Sequence, residues 1–271
     1  MTFGPLVDAD WLTRHFGDPD VRVVDFRWYL VERDGREEYL RGHIPGAVFV
    51  DLESVTGREG GGRHPLPTGP QFESEMRRVG VSDATKVVVY DDVGGSIAAR
   101  LWFLLDWFGH RDQAVLDGGL QAWRGPLEKL VAEVAPGDFQ IQAPDRSRIL
   151  DFAAVRDLQD VPLLDARDGE RYRGEKEPVD PKAGHIPGAL SFPWKENLEP
   201  DGRFKAPEEL RRRFIALGAD RGAVAYCGSG VNACHHVLAL ELAGLPAARL
   251  YPGSWSDWAN HEAPVASGAQ P

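Results

Sequence analysis

Cysteine and methionine are scarce in this chain, with two of each among 271 residues. Cys227 and Cys234 are too few and too close together to staple a protein of this size, so any role they have is as reduced thiols. Long apolar runs are also missing. The run from Leu101 to Leu105 stops at Asp106, far short of the roughly 18 to 20 residues that cross a bilayer. Positive charge is in deficit, with 31 Lys and Arg against 42 Asp and Glu and a formal charge of -11. That balance opposes binding to a phosphate backbone, and no local basic patch reverses it. The opening residues, MTFGPLVDADWL, carry neither a basic n-region nor an apolar h-region. The expectation is a cytoplasmic protein with neither membrane nor nucleic acid as partner.

What the chain does have is an ordinary globular composition, 42% hydrophobic and 27% charged, and an internal repeat. Gly42-His43-Ile44-Pro45-Gly46-Ala47 recurs as Gly184-His185-Ile186-Pro187-Gly188-Ala189. Asp25-Phe26-Arg27 returns as Asp165-Ala166-Arg167, Val88-Val89-Tyr90 as Val224-Ala225-Tyr226, and Trp123 as Trp258. A period of about 140 residues is a duplicated domain, because solenoid repeats run only about 20 to 50.

Each copy alternates β-branched runs with helical stretches, which predicts an α/β fold: a mainly parallel sheet with helices on both faces. Strands are expected at Val21–Phe26, Ala47–Val50, Lys86–Asp91 and Ala114–Leu116, then at Leu163–Ala166, Ala189–Phe192, Ala223–Cys227 and Arg249–Tyr251. Helices are expected near Ala9–Phe16, Pro70–Val79 and Ser96–Trp107, and near Phe152–Leu158, Pro207–Leu217 and Val231–Ala243. Residues 136–149, rich in Pro, Gly and polar side chains, are expected to link a domain over 1–135 to another over 150–271.

One segment has distinctive chemistry. The apolar strand Ala223-Val224-Ala225-Tyr226 runs into Cys227-Gly228-Ser229-Gly230-Val231-Asn232 and then into an apolar helix. Small residues let such a loop curl with several N–H groups pointing inward, and the helix dipole adds positive potential there. A Cys227 thiolate in that position is stabilised. Cys234, inside the helix, has the bland expectation of a small hydrophobe.

Gly228-Ser229-Gly230-Val231-Asn232-Ala233 fits G-x-G-x-x-G/A, but it follows a late strand and lacks the acid expected about 20 residues on, which argues against dinucleotide binding. The loop from Gly228 to Ala233 holds no Arg or Lys, which argues against a cysteine phosphatase. Zinc is disfavoured because His235 and His236, as neighbours on a helix, diverge by about 100°. They are expected on its polar face. A cysteine carrying a sulfur anion fits better than any of these.

With Leu116-Asp117-Gly118-Gly119 before Trp123, and Tyr251-Pro252-Gly253-Ser254-Trp255 before Trp258, the chain resembles the rhodanese superfamily along nearly its whole length. More narrowly, it resembles the two-domain sulfurtransferases. Cys227-Gly228-Ser229-Gly230-Val231 is similar to the loop of the mercaptopyruvate-type members, whereas thiosulfate-preferring members usually carry basic residues there. The resemblance implies two tandem rhodanese-like domains, no cofactor, and a Cys227 persulfide cradled by the backbone of Gly228, Ser229, Gly230, Val231 and Asn232. It also implies a small anionic sulfur donor and a thiol acceptor such as thioredoxin, or cyanide.

Further site residues follow from the same resemblance. Ser229, His64 and Glu53 match a serine-protease-like group, with Asp51 an alternative carboxylate two residues from Glu53. Arg171 matches the arginine that holds the donor carboxylate, and Arg173 is a second candidate. Mercaptopyruvate-type members often place another arginine after the Glu-Pro of this segment, but here Glu177-Pro178 is followed by Val179-Asp180. The position equivalent to Cys227 in the first copy is Asp91, so that copy is expected to be a scaffold. His43 and His185 are expected to fix turns, and Trp255 and Trp258 to pack the second copy. Two rival expectations stand beside mercaptopyruvate: a thiosulfate sulfurtransferase, and a silent binding module.

Overall fold

The computed structural model describes residues 3–31 and 33–271 and divides into two compact units. The first comprises Met1–Thr56, Pro67–Pro144 and Pro200–Phe204; the second comprises Gly57–Leu66, Asp145–Glu199 and Lys205–Pro271.

In the first unit the strands are β1 (Leu6–Val7), β2 (Val21–Asp25), β3 (Val48–Phe49), β4 (Lys86–Tyr90) and β5 (Gln113–Leu116). They form one parallel sheet in the order β1-β5-β4-β2-β3. Its helices are α1 (Ala9–His15), α2 (Gly35–Arg41), α3 (Gly69–Arg78), α4 (Ala98–Trp107) and α5 (Gly119–Ala122). The second unit repeats the plan. Strands β6 (Leu163–Asp165), β7 (Leu190–Ser191), β8 (Val224–Tyr226) and β9 (Arg249–Leu250) pair in parallel in the order β7-β6-β8-β9. Its helices are α6 (Phe152–Arg156), α7 (Gly169–Tyr172), α8 (Pro207–Ala216), α9 (Ala233–Leu242) and α10 (Ser254–Trp258). Among the described residues, no helix is long and apolar enough to cross a membrane.

The repeated motifs recur because they form one buried network in each unit. In the first, Asp25 accepts from Arg27 at 2.6 Å and from the Tyr90 hydroxyl at 2.7 Å, and Arg27 donates onward to the Gly42 carbonyl at 2.9 Å. The Tyr90 oxygen accepts the Ile44 N–H. In the second, Arg167 donates to Asp165 at 2.6 Å and to the Gly184 carbonyl at 2.8 Å, and the Tyr226 oxygen accepts the Ile186 N–H. The two carboxylates are fully buried, so losing either guanidinium strands a charge away from water, a change that costs about 3 to 5 kcal/mol. His43 and His185 are buried, stack on Tyr39 and Tyr172, and place Nδ1 at 2.7 and 2.8 Å from the carbonyls of those tyrosines. Their expected structural role is met. Trp255 and Trp258 belong to the core of the second unit, also as expected.

Two expectations are corrected. Residues 136–144 are not a free linker but lie on the first unit. Gly137 donates to Arg77, Phe139 to Val81 and Gln142 to Phe108, and the Phe139 ring is buried edge-on to Phe72. Their lack of periodicity reflects an irregular path rather than a lack of contacts. His235 and His236 do not occupy a polar face, because α9 is buried on all sides from Ala233 to Leu240. Each places Nδ1 within 3.0 Å of the Asn197 amide nitrogen, and His236 Nε2 lies 2.7 Å from the Phe192 carbonyl. Full burial holds the His236 imidazole down at about 4.

Candidate active site

Cys227 follows the last residue of β8 and is 2% exposed. The carbonyls of Cys227 and Gly228 accept the N–H groups of Trp255 and Ser256, both at 2.9 Å. Ser254 takes the left-handed conformation, φ 54°, uncommon for a side chain other than glycine. Its Oγ accepts the Cys227 N–H at 3.1 Å and donates to the Tyr251 carbonyl at 2.9 Å. Gly230, at φ +79°, passes so close to Pro252 that a Cβ would stand 2.3 Å from its carbonyl oxygen. The Tyr251-to-Trp255 motif therefore grips the loop from one side and turns its carbonyls away from the centre. The Asn232 side chain does not cap α9, and the amides of Cys234 and His235 donate to the Val231 and Asn232 carbonyls at 3.1 and 3.0 Å. Val231 is buried at the same place, and Cys234 is a fully buried thiol directed at the Gly230 carbonyl.

The matching loop in the first unit displays what such a backbone holds. The Asp91 carbonyl accepts the Leu120 N–H at 2.8 Å, as the Cys227 carbonyl accepts that of Trp255. The Asp91 carboxylate turns inward and accepts from the amides of Val93, Gly95, Ile97 and Ala98 at 2.8 to 2.9 Å. Burial pushes this carboxyl upward and the four amides pull it back. The loop is thus a nest for one anion. In the first unit the chain's own side chain fills it, and no thiol is present to carry sulfur.

A segment from the first half of the chain completes the second unit. Residues 57–66 dock beside α10: Gly62, at φ +83°, lies where a Cβ would meet the Gly253 carbonyl at 2.4 Å, and the Arg63 N–H donates to Ser256 Oγ at 3.0 Å. His64 is thereby buried with its Nδ1 2.8 Å from Ser229 Oγ. The pairing expected from the resemblance is present. Glu53 and Asp51 belong to the first unit. Asp51 accepts the Glu53 N–H at 3.0 Å and caps the turn Leu52–Val55; both carboxylates stay candidates.

Arg171 reaches the loop. A Cβ on Gly228 would stand 3.1 Å from Arg171 Nη1 and 3.1 Å from Arg63 Nη2, so two guanidiniums converge beside the residue after Cys227. Arg173 does not join them. It pairs with Glu175 on the surface at 2.7 Å, because positions two apart on a helix diverge by about 200°. Arg63 has no helical or motif signal in the sequence. Only its neighbour His64 marks it, and its position depends on docking with Gly253 and Ser256.

Carboxylates hold both cations. Glu177 accepts from Arg171 at 2.6 and 2.9 Å, and Asp180 bridges Arg171, at 3.2 Å, and Arg63. Burial works to raise Glu177, but the hydrogen bonds from Arg171 and the Asp180 amide prevail and hold it low. Asp180 is raised by burial despite Arg63 and Arg171.

The Rhodanese-like domain family matches residues 8–126 and 151–261, and the chain belongs to that family, carrying two copies of its domain. It is a two-domain sulfurtransferase. A Pseudomonas aeruginosa protein provisionally described as a 3-mercaptopyruvate sulfurtransferase is 46% identical, over 99% of this chain and 100% of its own length. A Mycobacterium tuberculosis protein provisionally described as thiosulfate sulfurtransferase SseB is 43% identical over 90% of this chain and 89% of its own. The crystal structure of SseA from Escherichia coli, presented as a 3-mercaptopyruvate enzyme, superposes with a TM-score of 0.83 at 34% identity, covering 94% of this chain and 100% of that one.

Proposed function

We propose that the protein moves sulfur from 3-mercaptopyruvate to a thiol acceptor through a persulfide on Cys227. The Cys227 thiolate attacks the donor sulfur, the carbon–sulfur bond breaks, and its electron pair leaves on carbon as the enolate of pyruvate, which takes a proton. An acceptor thiolate then attacks the outer sulfur and releases the Cys227 thiolate.

The observation that carries this reading is the Asp91 carboxylate in its nest of four amides. A carboxylate oxygen is two bonds from Cβ, and so is the outer sulfur of a cysteine persulfide. The loop after Cys227 follows the matching strand, with one left-handed glycine, Gly230, where the first loop has Gly94 and Gly95; by analogy with Asp91 its amides are read as the donors to the outer sulfur, with no buried cation required. Arg171 Nη1 and Arg63 Nη2 face the loop for a donor carboxylate. The contact between Ser229 and His64 supports a role for the pair in stabilising charge on the donor carbonyl and moving the enolate's proton. We infer Glu53 as the carboxylate that orients His64, thioredoxin or another small thiol as acceptor, and the cytoplasm as location.

The similarity to the M. tuberculosis protein makes thiosulfate the alternative donor. Turnover with each donor at saturating acceptor tests the choice. Mercaptopyruvate is expected to give the higher kcat/KM, and faster turnover of thiosulfate would overturn it.

A further inference from the structure

The donor site is electrostatically balanced. Three guanidiniums, Arg63, Arg167 and Arg171, are interlocked with three carboxylates, Asp165, Glu177 and Asp180. Asp165 and Glu177 are committed to Arg167 and Arg171, and Glu177 also accepts the amides of Val179 and Asp180. Asp180 differs from them. Its side chain, 4% exposed, lies across the two guanidiniums that flank Gly228 and supplies the last negative charge.

Several N–H groups remain for a ligand. Arg63 engages Asp180 through Nη1 and turns Nη2 toward Gly228. Arg171 engages its carboxylates through Nε and Nη2, so Nη1, beside Gly228, is the arm turned to the loop. One incoming carboxylate can use these donors. A second negative charge on the same molecule would find every guanidinium already neutralised and would face Asp180 across the site. Like charges brought together in a partly dehydrated site repel strongly.

We propose that Asp180, by holding one negative charge across Arg63 and Arg171, makes the site selective for singly charged sulfur donors over doubly charged ones. This rests on sulfur transfer through Cys227 as proposed above. Asp180 is a positioning residue that acts through the two arginines, and its signature is a change in preference rather than a general loss.

Methanethiosulfonate and thiosulfate isolate the charge, since both offer a terminal sulfur bonded to a sulfonyl group but carry one and two negative charges. In each transfer the S–S bond breaks as Cys227 attacks, and the electron pair leaves as methanesulfinate or sulfite. The full-length wild type, Asp180→Asn and Asp180→Glu are compared at fixed ionic strength with cyanide as acceptor. Asp180→Asn is expected to raise kcat/KM for thiosulfate relative to methanethiosulfonate by about tenfold, mainly through KM, as expected for one charge removed close to the ligand. Asp180→Glu keeps the wild-type ratio. An unchanged ratio in an Asp180→Asn enzyme that turns over would overturn the proposal and leave transfer through Cys227 standing. Absence of turnover by the wild type with any donor would overturn both. If Asp180→Asn fails to fold, the wild type alone decides through competitive inhibition by pyruvate and sulfate: tighter pyruvate supports the proposal, and equal or tighter sulfate overturns it.

Discussion

His64 and Ser229 are separated by 165 positions in the chain, yet Nδ1 of one stands 2.8 Å from Oγ of the other inside the second unit. The contact sets an imidazole within proton-transfer reach of the serine hydroxyl, beside the loop that follows Cys227. If the pair handles the proton of a departing enolate, it matters for mercaptopyruvate and little for thiosulfate, whose leaving group is a stable anion. Ser229→Ala and His64→Ala are each expected to lower kcat with mercaptopyruvate by about 10² or more, with a much smaller loss for thiosulfate. Equal losses for both donors would mean that the pair only shapes the loop.

Asp91 fills the nest of amides in its own loop. Replacing it by alanine removes the acceptor of four loop amides, at positions from Val93 to Ala98. Each buried donor left unpaired costs about 1 to 3 kcal/mol. Asp91→Ala is expected to destabilise the protein by at least about 3 kcal/mol, measured by chemical denaturation. A loss below about 1 kcal/mol would show that the amides find other partners.

His236 gives the protein an acid-sensitive core. Its imidazole titrates at about 4 when folded, against an ordinary value of 6.5, because it is fully buried. Between those values the unfolded chain binds a proton that the folded one refuses, so stability is complete above 6.5 and falls as pH drops toward 4. The contribution is about 3 kcal/mol at most. Burial lowers His110 in the same direction. The slope of unfolding free energy against pH is expected to be shallower in His236→Asn than in the wild type. An identical slope would contradict the assignment.

Gly230 is the tightest point of the loop. A Cβ there would stand 2.3 Å from the Pro252 carbonyl, at a φ of +79°. Gly230→Ala is expected to cost about 1 to 2 kcal/mol in backbone strain alone and to abolish sulfur loading, with the circular dichroism spectrum unchanged. Full loading by this variant would mean that the loop's grip on Pro252 is dispensable.

The duplicated fold was legible because the repeated residues are one network. Asp25, Arg27, Tyr90 and the Gly42-to-Ile44 turn touch one another, as do Asp165, Arg167, Tyr226 and the Gly184-to-Ile186 turn. Such residues leave a trace in sequence because each is required by the others. Cys227 was legible because strand, glycine-rich loop and helix are contiguous. The short elements β1, α2 and α10 escaped because tertiary contacts, not local periodicity, hold them. Arg63 and Asp180 escaped for a related reason: they sit 117 positions apart, and nothing local marks either as the partner of the other. His235 and His236 misled because a histidine pair reads as polar, whereas α9 has no solvent-facing side along that stretch and Asn197 satisfies both rings.

Transfer through Cys227 is tested most directly by intact-protein mass after exposure to 3-mercaptopyruvate without acceptor, followed by peptide mapping. The expected result is a gain of one sulfur atom on Cys227, lost on adding a thiol, and absent from Cys227→Ser. A protein that turns over the donor with no added sulfur on Cys227, or a Cys227→Ser variant that keeps turnover, would contradict it.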